Sequence, residues 1–221
     1  MPRRSYDQYC AIARALDTIG DRWTLLIVRE LLAGPRRYTD LHADLPGVST
    51  DVLASRLRDM ERDGLLTRRR LTVGGAANAY ELTSHGRALL PVLGALATWG
   101  GPALDERRPT DAVRAHWFAI PLMDRLRPLA AEHRGVVEVR LPEGVFHLLL
   151  SDGQLAYRDG PVEWADARLT LDVDTCRALA AGTLTAEDAI ATGRLDLAGD
   201  TPLADAVRGR TPAPAQEPAS A

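Results

Sequence analysis

From Ser49 to Arg62 the chain reads STDVLASRLRDMER, and its polar side chains recur at helical spacing. At about 100° per residue, Asp51, Ala54, Ser55, Arg58 and Arg62 share one side of a helix. Val52, Leu53, Leu57 and Met60 share the other. Small residues allow close approach, hydroxyls bond base edges, and arginine reaches guanine or phosphate. That side suits the major groove of DNA. An ordinary amphipathic surface helix has the same period, so the flanking residues must decide. The candidate contacts on this stretch are Ser49, Thr50, Asp51, Ala54, Ser55, Arg56 and Arg58. Arg56 falls beside the apolar side of the wheel, where an intramolecular or phosphate role is expected.

Other chemistry is sparse. Cys10 and Cys176 make neither a disulfide framework nor a metal-ligand spacing, and the five histidines are scattered. No metal site and no cofactor are expected. No P-loop, G-x-G-x-x-G after a strand, H-E-x-x-H or G-x-S-x-G occurs, so catalysis is not expected. All 27 basic residues are arginine, which points to GC-rich coding and lowers the information in any one arginine. Residues 1–105 hold 14 Arg against 12 Asp and Glu (+2), and residues 106–221 hold 13 against 18 (−5). That asymmetry places a polyanion partner on the N-terminal half. No apolar run approaches the roughly 20 residues of a membrane span. The basic N-terminus has no apolar segment behind it. Cytoplasm is the expected compartment, with no membrane partner.

The elements that position the candidate helix precede and follow it. Cys10–Ile19 reads as a helix with Tyr9, Ile12, Ala13, Leu16 and Ile19 on one side, and 22–33 as an apolar second helix ended by Gly34-Pro35. Arg36-Arg37 then stand as candidate phosphate contacts or a solvated turn. Residues 38–45 form a short helix, capped by Thr39 or Asp40 and broken by Pro46-Gly47. Ser49 caps the candidate helix and Gly64 stops it. Residues 65–82 read as a β-hairpin with a long Gly74-Gly75 tip. Its Arg68, Arg69 and Arg70 are candidates for backbone or minor-groove contact, although alternation on a strand denies all three the same face. A helix over Gly86–Trp99 carries Leu89, Leu90, Leu93, Leu96 and Trp99, more apolar surface than a small domain needs, so a partner subunit is suspected.

The order ALDTIGDRWTLLIVRELLAGPRRYTDL, LPGVSTDVLASRLRDMERDGLL, YELTSHGRALLPVL resembles the HxlR-type winged helix-turn-helix regulators, relatives of the MarR group, over about residues 7–100. The resemblance implies a homodimer on a two-fold symmetric operator, with the recognition helix in the major groove and the wing alongside. The proline commonly found between the wing strands of that family is replaced here by Gly74–Ala77. Cys10 stands where some members carry a redox-sensing thiol. A small buried apolar role is the competing reading for it.

A linker is expected over Pro102–Thr110, followed by helical material to residue 134 that Pro121 and Pro128 divide. From Gly135 short β-rich runs take over. The Asp152-Gly153 pair between two of them marks a hairpin. ADARLTLDVDTCRALAAGTLTAEDAIATGRLDLAGD resembles the sterol carrier protein-like domain. That likeness implies an open sheet covered by helices with an apolar cavity for a hydrophobic small molecule. The candidate liners are Trp117, Phe118, Met123, Phe146, Leu148 and Tyr157, each of which also suits simple core packing.

The expected class is therefore α+β. A winged helix-turn-helix domain spans 1–104 and a linker 105–110. A sterol carrier protein-like domain spans 111–210, and a disordered tail 211–221. The expected function is a dimeric regulator, a repressor, whose grip on double-stranded DNA responds to a hydrophobic effector. The alternatives are a redox switch through Cys10 and a hydrophobic-ligand carrier that does not bind DNA.

Overall fold

The structure, a computed structural model, describes residues 5–71, 77–104 and 107–209, without the side chains of Leu71 and Ala77. The expected hairpin tip and the tail lie outside the described residues, as does part of the expected linker. The chain divides into two compact units, Met1–Ala112 and Val113–Ala221. Among the described residues no helix is long and apolar enough to cross a membrane.

The first unit contains α1 (Ala11–Ile19), α2 (Thr24–Leu32), α3 (Tyr38–Asp44), α4 (Thr50–Arg62), α5 (Ser84–Arg87) and α6 (Leu90–Gly100). Its sheet is β1 (Arg36–Arg37), β3 (Ala77–Leu82) and β2 (Leu66–Leu71), antiparallel and in that order. The core is mainly apolar: Ile27, Val28, Leu31, Leu41, Leu45, Leu53, Leu57, Met60, Leu65 and Leu66 are buried, with Thr24 and Glu30 buried among them. The stretch expected as one helix over Gly86–Trp99 is two. Thr83 caps a single turn by accepting from the Gly86 N–H, and α6 then restarts with Pro91 in its first turn. A proline there needs no N–H partner and favours a new start. Arg36-Arg37, read as a turn or a contact, pairs with Tyr80 and Ala79 as a third strand too short to show a period.

The second unit has a short 3₁₀ turn (Ala115–Phe118) and α7 (Ala119–Glu132), then β4 (Gly135–Leu141), β5 (Gly144–Ser151), β6 (Gln154–Asp159) and β7 (Ala167–Leu171). After these come α8 (Val173–Ala181), α9 (Ala186–Ala191), β8 (Leu195–Ala198) and α10 (Pro202–Arg208). The sheet order is β6-β5-β4-β7-β8, antiparallel except for the β4–β7 pair. Asp152 and Gly153 both take positive φ (52° and 75°), the type I′ geometry that suits the right-handed twist of a hairpin. The prolines do not divide α7. Pro121 falls in its first turn, where no N–H is needed, and Pro128 sits on the solvent side of an unbroken helix.

Candidate nucleic-acid interface

The geometry of α4 follows from local rules at both ends. Ser49 is extended (φ −79°, ψ 156°), and its Oγ accepts from the Val52 N–H at 3.3 Å. At the other end Gly64 is left-handed (φ 71°), Leu65 N–H donates to the Met60 carbonyl and Gly64 N–H to that of Glu61. That pair of bonds satisfies the last carbonyls and turns the chain into β2. Leu53, Leu57 and Met60 are buried at 0–1% exposure, and hold the inner side against the core. Val52 departs from the wheel: it is 41% exposed, because it lies at the edge of the apolar arc beside Thr50 and Asp51. The opposite stripe of Thr50, Asp51, Ala54, Ser55 and Arg58 lies open or half-buried. Among the described residues Arg58 makes only a local bond, Nε to the Ala54 carbonyl at 3.2 Å.

The preceding helix is fixed to α4 by Tyr38, whose hydroxyl donates to the Thr50 carbonyl at 2.8 Å. Neither Thr39 nor Asp40 is the N-cap of α3. Arg37 holds that position, and Asp40 reaches back to accept from its backbone N–H at 3.2 Å. The α3–α4 turn is sealed by Leu45 and Val48, both buried, with Gly47 left-handed between them.

The expected arginine contacts separate into two groups. Arg36 donates through Nε to the Glu30 carbonyl and pairs with Asp44 at 2.8 Å, with 11% of its side chain exposed. Arg56 is held at 3.4 Å from both Asp21 and Asp59. Those two expected contacts are instead committed to internal partners. Ser49, too, uses its oxygen for the cap. Arg37 follows Arg36 in β1, and strand alternation turns it to the other face. In the wing Arg68 lies 3.3 Å from Glu61 and over the Tyr80 ring, and Arg69 lies 3.3 Å from Glu81, both substantially exposed. Arg70 is exposed and makes no ion pair among the described residues. The signal for Arg36 and Arg56 was faint: Asp44 lies eight residues from Arg36, and Asp21 comes from the connection between α1 and α2. A cleft of about 780 Å³ runs behind α4, between Tyr6, Leu16, Asp17 and Asp21 on one wall and Arg56, Asp59 and Asp63 on the other.

Cys10 is exposed at the N-cap position of α1. Cys176 is buried, and desolvation, with the nearby Asp172 carboxylate adding to it, pushes its thiol up to about 12. In the second unit Met123, Phe146, Leu148 and Tyr157 are buried between α7 and the sheet, while Trp117 and Phe118 are half-buried.

Comparison with known proteins agrees with this geometry. Residues 18–108 match the family described as HxlR-like helix-turn-helix, and residues 121–210 match the SCP-2 sterol transfer family. A Bacillus subtilis protein, the uncharacterized HTH-type transcriptional regulator YvaP, is 36% identical over 92 residues, 42% of this chain and 85% of that one. The Synechocystis HTH-type regulator sll1512 is 36% identical over 97 residues, 44% of this chain and 72% of its own. The redox regulator HypR, solved in its oxidized form, is 26% identical with a TM-score of 0.40, over 45% of this chain and 99% of that one. The family matches and the two regulators that share 36% identity carry the assignment: the chain belongs to the HxlR-like helix-turn-helix family of transcriptional regulators, with an SCP-2-type domain fused behind it.

Proposed function

We propose that this regulator is a repressor that binds a two-fold operator as a homodimer and takes no part in catalysis. The observation that carries this is the open or half-buried stripe Thr50–Asp51–Ala54–Ser55–Arg58 on a helix that Leu53, Leu57 and Met60 anchor in the core. Arg37, Arg68, Arg69 and Arg70 flank it as phosphate contacts. Dimer formation is supported by apolar surface left uncovered in the single chain. Ile12 (72% exposed) and Leu16 lie on α1, and Val92, Leu96 and Trp99 (84%) on α6. A second copy of the chain covers them and presents α4 twice, about one helical turn apart. The cytoplasm follows as its place of action.

In this reading a hydrophobic small molecule binds between α7 and the second sheet, where Met123, Phe146, Leu148 and Tyr157 supply apolar surface. It shifts operator affinity by favouring one dimer geometry. The experiment is a mobility-shift titration on DNA upstream of the protein's own gene, repeated across salt concentrations. Specific binding with a steep salt slope is expected. Hydrophobic-ligand binding with no DNA binding at any salt concentration would return the chain to the carrier reading.

A redox input is favoured by one observation. Cys10 is exposed beside Tyr9 and Ile12 on the uncovered side of α1, whereas the Cys176 thiol is buried and held protonated. Loss of the oxidant response in Cys10→Ala tests it.

A further inference from the structure

The outer face of the second sheet carries charge that neither operator reading nor an apolar ligand uses. Strand register sets Arg158, His147, Glu138 and Arg168 in one row across β6, β5, β4 and β7. Their sequence neighbours Val137, Val139, Leu148, Tyr157 and Leu169 are buried on the helix-covered side, so the row occupies the other face. A charged residue there would ordinarily be solvated. Glu138 is 0% exposed.

The cover is the β6–β7 connection, residues 160–166. It crosses the face as a strap without secondary structure. Gly160 N–H donates to the Val145 carbonyl at 2.8 Å, and His147 Nδ1 lies 3.0 Å from the Gly160 carbonyl. Val162 N–H donates to Glu138 Oε2 at 2.9 Å, and Asp166 N–H to the Val136 carbonyl at 2.9 Å.

The other oxygen, Glu138 Oε1, accepts from Arg140 Nε and from Arg168 Nε, each at 2.7 Å. One guanidinium would neutralise the buried carboxylate. The second leaves the cluster with one positive charge in excess. Two bonds of 2.7 Å to one oxygen also hold two like charges side by side. Each arginine has used one of its five N–H donors on Glu138. The remaining donors have no partner among the described residues, and the two side chains are 45% and 35% exposed. On the neighbouring strand Asp196 stands opposite Thr170 and makes no ion pair among the described residues. Two planar forks held at one carboxylate oxygen suit an oxyanion, which guanidinium donors can grip in pairs. Trp164, two residues beyond Val162 on the strap and 63% exposed, adds apolar surface nearby.

We propose that Arg140 and Arg168 form a binding site for an oxyanion, the phosphate or carboxylate group of a ligand, on the outer face of the second sheet. Glu138 is the positioning residue that aligns both guanidiniums. The site is on the opposite face from the helix-covered interior, and it stands whether or not that interior takes an effector.

The test is calorimetric titration of the full chain with three probes. These are inorganic phosphate, phosphatidylcholine vesicles containing phosphatidic acid, and pure phosphatidylcholine vesicles. Saturable binding of one phosphate group per chain is expected. It should weaken at least tenfold in Arg140→Gln and in Arg168→Gln and be unchanged in Arg127→Gln, a surface pair partner of Asp124 on α7. Binding of phosphate alone assigns a soluble ligand, and binding of phosphatidic acid vesicles alone assigns a lipid headgroup. Because either variant could loosen the strap, the wild-type chain provides a second reading. Its Arg140 and Arg168 Nε–H resonances should shift together on phosphate addition. Absence of saturable binding of both phosphate and phosphatidic acid vesicles, resonances unmoved by whichever probe binds, or wild-type affinity in both glutamine variants overturns the proposal.

Discussion

The two halves of this chain use arginine in opposite ways. On α4 and the wing, Arg58 and Arg70 extend into solvent with no acid paired to them among the described residues. On the second sheet, Arg140 and Arg168 are fastened to one buried carboxylate. A guanidinium left open is available to a phosphate, which releases counterions when it binds. A guanidinium anchored at Nε is fixed in orientation, so losing it costs structure as well as charge. Within the first unit Arg36 is likewise anchored, to the Glu30 carbonyl and to Asp44.

The comparison breaks most visibly at Glu138. Glu138→Gln should destabilise the second unit by about 3 kcal/mol, because it weakens the acceptor for two guanidiniums and the Val162 N–H; urea unfolding checks it. Acid probes the same contact. Burial tends to raise the Glu138 carboxyl, but the Val162, Arg140 and Arg168 hydrogen bonds outweigh it and hold the carboxyl below its ordinary value. Asp172, which caps α8 by accepting from Thr175, is lowered likewise. Folded values below unfolded ones mean stabilisation that is complete above the ordinary carboxylate range. It is lost as pH falls through the folded values. The second unit should therefore lose stability progressively as pH drops below about 4, and Glu138→Gln should flatten that dependence.

Arg36 and Arg58 sharpen the contrast at the next level. Arg58→Ala should cost about 1–3 kcal/mol of operator affinity and relax base preference, with unfolding unchanged. Arg36→Ala should lower stability by about 2 kcal/mol through loss of the Asp44 pair and the Glu30 carbonyl bond. A pure affinity loss in Arg36→Ala would show that the internal pair does not hold in solution. Ser49→Ala is a smaller effect, about 1 kcal/mol of stability from the lost cap. The smallest is Arg70→Ala, which should weaken binding to all sequences evenly and reduce the magnitude of the log–log salt slope by about 1.

What could be read without coordinates was local. Ser49 and Gly64 bound α4 because their partners lie within a turn of the helix. Leu53, Leu57 and Met60 follow from the helical period, and Asp152-Gly153 from the φ values that a two-residue hairpin demands. Sequence order alone also carried the winged helix-turn-helix and SCP-2 likenesses. Only the tertiary structure decided that Arg36 and Arg56 turn inward and that Val52 stays exposed. It also decided that Pro128 rides within an intact helix and that Glu138 meets Arg168 thirty residues away. The physical reason is range. Caps, turns and periodicity are settled between neighbours, whereas a charge finds its partner through the path of the whole chain.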